Sequence, residues 1–203
     1  SQHCVCARFW RVRRLFFPAV GICRRGEPAP DTPGWQIQPG KHTVQGVLTK
    51  ALSTVLSSQI AVTGAGRTDT GVHASFFCAH FDAVRNDLNN DGQLLYNLNG
   101  ILPDDIAIKR IVKVNPDANA RFDAISRTYQ YTVTRVKDPF CADTAWLLYW
   151  QLDIDRMNEA AAILLKHSDF TSFCLLHGSN MTNICRVTHA RWTDEQEKLI
   201  FTI

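Results

Sequence analysis

An arginine and an aspartate two positions apart, Arg67 and Asp69, lie in the stretch Gly64-Ala65-Gly66-Arg67-Thr68-Asp69-Thr70-Gly71-Val72-His73-Ala74. A carboxylate beside a guanidinium is favoured in its ionised form, and an ionised aspartate is what nucleophilic catalysis requires. Glycines around such a pair let the main chain reach positive φ and let a large ligand approach it closely. The spacing G-x-G-x-x-x-x-G does not match the dinucleotide fingerprint, and no lysine follows Gly71 as a phosphate-binding P-loop would require. As Arg-x-Asp in a loop and no more, the plainer assignment is an aspartate capping a turn with the arginine paired to it. His73, one residue after a tight loop, reads as a hydrogen-bonded structural group without a catalytic role.

The elements that must position this loop are legible in the apolar periodicity. Val44, Val47, Leu48, Ala51, Leu52, Val55 and Leu56 recur on one helical face, with Thr43 as N-cap. A short strand over Ile60 to Val62 leads into the glycine-rich loop, which is expected to be flexible. A helical stretch around Gln93 to Leu98 should stop at Gly100 and Pro103. Period-two patterns at Ile106, Ile108, Val112 and Val114, and at Tyr129, Tyr131 and Val133, predict half-buried strands. Asp155 opens a further helix with the stripe Met157, Ala160, Ala161, Leu164 and Leu165, and alternation returns at 187–192 and 199–203. The chain then stops in mid-strand. Strands interleaved with helices predict an α+β fold, a mostly antiparallel sheet with helices packed on one face.

The 203 residues are 45% hydrophobic and 20% charged, which places the chain among ordinary globular proteins. The longest apolar run, Leu15 to Cys23, is nine residues and contains a proline, too short to cross a bilayer, which needs roughly 20. Seven cysteines show no Cys-x-x-Cys pair and no histidine spacing that completes a zinc set, so reduced thiols in a cytoplasmic protein without a metal are expected. Residues 1–33 hold six of the 22 basic and two of the 19 acidic residues, leaving 16 and 17 in the rest. A nucleic-acid partner would therefore need a local basic surface.

The segment GAGRTDTGVHA resembles the signature loop of the TruA-type tRNA pseudouridine synthases, Gly-Arg-Thr-Asp-x-Gly-Val-His-Ala. Further pieces of the family pattern follow in order: GWQIQPG, TVQGVLTKAL, LNGILPDDIAI, ARFDAISRTYQY, HSDFTSF and CRVTHARW. The resemblance covers about Gly34 to Ile203 and is closest to bacterial members of the Bacteroidetes kind. It implies an isomerase that converts uridine to pseudouridine at positions 38, 39 and 40 of the tRNA anticodon stem-loop, working as a homodimer with a basic cleft. The reaction breaks the N-glycosidic bond, rotates the uracil and rejoins it through carbon, with no net oxidation and hence no cofactor. On the same resemblance Asp69 is the nucleophile and Tyr129 packs on the target uracil. Arg67 steers the flipped nucleotide, and Arg121 either contacts phosphate or pairs with Asp123. Tyr131 is expected to be a neighbouring residue of the core or one that supports the site from behind, and Lys41 and His42 to be solvated side chains.

Domain organisation is expected as an irregular Arg-rich leader over 1–33, a catalytic subdomain over 34–140 and a shortened second subdomain over 141–203. Family members carry a strand ending in Tyr-Asp-Gly before Gly-Trp-Gln, which is not recognisable here. They also continue into a Met-Val-Arg segment whose arginine pairs with the nucleophile, beyond Ile203. The alternative to an active enzyme is a catalytically inactive RNA-binding remnant; a weaker one is a small-molecule nucleotide-binding enzyme.

Overall fold

The structure, a computed structural model, describes residues 13–18, 20–22, 34–84, 92–174 and 182–203. The chain divides into two compact units, 1–125 and 126–203.

In the first unit, the strands β1 (Arg13–Pro18), β3 (Val62–Gly64), β4 (Cys78–Ala83) and β6 (Val112–Lys113) form an antiparallel sheet in the order β3-β4-β1-β6. A separate antiparallel ribbon joins β2 (Val20–Ile22) to β5 (Ile106–Ile108). Part of the leader expected to be irregular is therefore strand, and β1 lies between two neighbours. Its continuous apolar run, unlike an alternating one, has no period that separates strand from buried helix.

Helix α1 (Val44–Val55) begins where the sequence predicts: the Thr43 Oγ1 accepts from the Gly46 N–H at 3.1 Å. Its buried residues Val44, Leu48, Ala51 and Leu52 join Leu94 and Leu98 of α2 (Gly92–Ile101) in one core with Ala79, Phe81 and Ala83 of β4. Those β4 residues alternate, so they occupy one side of the strand. Burying side chains such as Leu48, Leu52 and Phe81 contributes about 1.5–3 kcal/mol each.

Three boundaries differ from expectation in this unit. The strand expected at Ile60 starts at Val62, because the Ile60 N–H donates to Ser53 Oγ of α1 at 3.0 Å instead of to a ladder. Helix α2 runs through Gly100 to Ile101. The single strand expected from Ile106 to Val114 is two, β5 and β6, paired to different partners.

The second unit is a four-stranded sheet made of β7 (Gln130–Thr134), β8 (Trp146–Leu147), β9 (Arg191–Glu195) and β10 (Lys198–Thr202) in the order β8-β7-β10-β9. Its pairs are antiparallel except β7 with β8. Helix α3 (Ile154–Leu164) is capped by Asp153, whose Oδ1 accepts from the Arg156 N–H at 3.0 Å, so the expected opening residue Asp155 lies in its first turn. Of its expected stripe only Ala161 is buried, and Ala160 and Leu165 are exposed. Asn158 ties α3 to β9 by bonding both backbone groups of Trp192, accepting from its N–H at 2.8 Å and donating to its carbonyl at 3.1 Å. Among the described residues no helix is long and apolar enough to cross a membrane.

Candidate active site

The loop between β3 and β4 carries Arg67 and Asp69, and it is anchored rather than free. At its start the Ala65 N–H donates to the Cys78 carbonyl of β4 at 2.8 Å. At its middle the Thr68 carbonyl accepts from the Trp35 N–H at 3.0 Å. At its tip the Val72 N–H reaches the Asp69 carbonyl at 3.4 Å, and Gly71 takes φ +80. Positive φ at the third residue of a four-residue turn is the requirement of a type II turn, which glycine meets at little cost. Asp69 thus closes this turn with its backbone, leaving its side chain at the surface, where it is exposed.

The segment that clamps the loop is itself fixed by α1. Gln45, at the second position of the helix, donates its backbone N–H to the Trp35 carbonyl at 3.0 Å. Its side chain accepts from the Ile37 N–H at 3.0 Å and donates to the Val62 carbonyl of β3 at 2.7 Å. Trp35 is 2% exposed, its ring lying against Gly64 and 4.4 Å from the Phe77 ring. A Cβ on Gly34 would overlap the Thr68 carbonyl oxygen and stand 2.8 Å from the Asp69 carbonyl carbon. Gly34, Trp35 and Gln45 are positioning residues that motif reading noted only as parts of GWQIQPG and TVQGVLTKAL. A buried tryptophan flanked by glycine before a helix was the available signal.

Arg67 and Asp69 are both exposed, and no ion pair joins them among the described residues. His73 is half-buried, and Lys41 and His42 are exposed.

Arg121 belongs to the same unit, on a turn also tied to β4. His80 of β4 is buried and its Nδ1 accepts from the Ala120 N–H at 3.1 Å. The turn is closed by Asn119 and Asp123: the Asn119 N–H donates to Asp123 Oδ2 at 2.6 Å and the Asp123 N–H returns to the Asn119 carbonyl at 2.9 Å. Asp123 is thereby engaged by the backbone. The Arg121 guanidinium lies 5.7 Å from the Phe122 ring centroid, within cation–π range. The loop with Asp69 and the turn with Arg121 therefore hang from Cys78 and His80 of one strand.

Tyr129 lies in the second unit, immediately before β7. Its backbone exchanges hydrogen bonds with Ile203, donating at 2.8 Å and accepting at 3.0 Å, while the residue stays 55% exposed. A phenol ring held by its backbone and open to solvent can offer a face for stacking. Tyr131, expected in the core or in support of the site, is 54% exposed, whereas Val133 on the same side of the strand is buried.

No protein-family model matches the chain. It is 49% identical over 171 residues, 84% of this chain and 68% of the relative, to tRNA pseudouridine synthase A of Bacteroides fragilis. With the protein of the same name from Bacteroides thetaiotaomicron it shares 50% over 173 residues, 84% of this chain and 64% of the relative. The Bacillus subtilis protein of that name is 37% identical over 171 residues, 82% and 68% of the two chains. The chain thus spans about two thirds of the length of these relatives. A match of that extent in 203 residues necessarily includes the anchored loop of Arg67 and Asp69, and the chain belongs to the tRNA pseudouridine synthase A family.

Proposed function

We propose that the chain is a tRNA pseudouridine synthase that isomerises uridine at positions 38, 39 and 40 of the anticodon stem-loop, in the cytoplasm and as a homodimer. Asp69 is the nucleophile. The observation that carries this reading is an exposed carboxylate at the tip of a loop fastened to Cys78 and to Trp35, on the signature stretch of the family.

A uridine stacked in an RNA stem is out of reach and must be everted at a cost of a few kcal/mol, which stacking on an aromatic ring offsets. Tyr129 supplies that ring, and Arg67 steers the everted nucleotide by its charge. Arg121 meets a phosphate of the substrate. The mixed α and β units are read as the two parts of a pseudouridine synthase-like fold with helices on one side of the sheet. The isomerisation is redox-neutral, so the protein groups act without a cofactor. Anchoring the loop limits the motion of the carboxylate, and a preorganised nucleophile loses less rate to misplacement.

Pseudouridine mapping on unmodified tRNA tests the reading, comparing the chain with Asp69→Asn. The wild-type chain should form pseudouridine and the variant should form none while still binding tRNA. Equal product from both overturns the role of Asp69, and tRNA binding without product from either identifies an RNA-binding remnant.

A further inference from the structure

In the second unit, the chain leaving α3 runs back alongside the segment that precedes β9. The two are tied by main-chain bonds: the Cys185 N–H donates to the Ser168 carbonyl at 2.9 Å and the Phe170 N–H to the Asn183 carbonyl at 3.2 Å, with Asp169 and Ile184 bridged antiparallel. Between these segments lies an open concavity of about 380 Å³. Lys166 and His167 line it from the first segment and Arg186 and Thr188 from the second, with Ser168 also contributing. These five residues are exposed, and none of the described residues that line the concavity is acidic.

Two permanent positive charges, from strands of chain fixed to each other by their backbones, therefore face one space together with two hydroxyl groups. The C-terminal end of α3 adds a partial negative charge of roughly half a unit, which the two cations outweigh. An arginine fork matches the paired oxygens of a phosphate, a lysine serves it as a point charge, and hydroxyls donate to the oxygens that remain. Among the described residues that line it there is no Phe, Tyr or Trp on which a base could stack. The chemistry accordingly fits a backbone phosphate more closely than a nucleobase, the kind of contact that sets register without reading sequence.

We propose that this concavity binds a phosphodiester of the RNA substrate, with Arg186 and Lys166 as its principal ligands. The assignment rests on the reading that the chain binds tRNA, and it adds a contact in the second unit to those already proposed.

Fluorescence anisotropy of the full chain with unmodified tRNA, over a series of salt concentrations, tests it. Arg186→Gln should weaken binding several-fold and make the dependence of log affinity on log salt shallower by about 0.7–0.9, the loss of one phosphate contact. Lys166→Gln, an exposed change on the opposite segment, should act in the same direction, and Arg186→Lys should keep most of the slope. Unchanged affinity and slope in both glutamine variants, at unchanged melting temperature, overturn the proposal, as does a wild-type chain that binds no tRNA. Inorganic phosphate that shifts the His167 ring signals while Arg186→Gln leaves tRNA binding intact also overturns it, assigning the pocket to a free anion. Asp69→Asn, run in parallel, should retain affinity and slope and lose product. A catalytic role that fails with Asp69 is thereby separated from a binding role that fails with Arg186.

Discussion

The Trp35 N–H donates to the Thr68 carbonyl at 3.0 Å, so the residue next to Asp69 is held from a segment more than thirty positions earlier in the chain. Gly34 makes that approach possible, because a Cβ there would overlap the Thr68 oxygen. Gly34→Ala must push the two backbones apart and displace the loop. Pseudouridine formation should fall at least tenfold, about 1.4 kcal/mol of activation free energy, while tRNA affinity changes little. Single-turnover rates and anisotropy measured on one preparation check this; a rate equal to wild type would show that the clamp does not position the nucleophile.

Thr43 caps α1, the helix whose Gln45 carries the clamp segment. Thr43→Ala removes the bond to Gly46 and should cost about 1 kcal/mol of stability. Urea unfolding followed by far-UV circular dichroism reads it as a lower midpoint at constant slope. Thr43→Ser, which keeps the hydroxyl, should recover most of the loss.

Asp138, Cys141 and Lys198 form a chain in the second unit: the Lys198 Nζ donates to Cys141 Sγ at 2.9 Å, and that thiol donates to Asp138 Oδ2 at 2.9 Å. The thiol bond, then the Phe140 N–H, holds the Asp138 carboxyl below its ordinary 3.8, against the effect of desolvation and with a smaller contribution from Lys198. A depressed carboxyl contributes stability above its unfolded pKa and loses it as pH falls through the folded one, so the contribution is present at neutral pH and disappears below about pH 4. Cys141→Ala should raise the Asp138 pKa toward 3.8 and lower that of Lys198 toward 10.5, since the thiol is the largest cause at both. Carboxyl-carbon and amine NMR titrations report both shifts, and titration curves that do not move would show that the thiol link is not formed in solution.

Local chemistry was sufficient for several elements. Thr43 before a helical stripe, the turn glycine at Gly71 and the alternation of Leu199 and Phe201 act through neighbours a few residues away, so the amino-acid order itself specified α1, the tip of the loop and β10. The proposed role of Asp69 likewise comes from an eleven-residue pattern, which is a statement about sequence. Tertiary structure alone decided the rest. It split the period-two run from Ile106 to Val114 between two sheets, placed β1 inside the leader, and left Tyr131 open beside the buried Val133. It also assigned Trp35, Gln45 and His80 to holding the loop and the Arg121 turn. The physical reason is that a strand's partner, a buried hydrogen bond and the space around a glycine depend on distant chain segments, and periodicity carries no information about which segment will arrive.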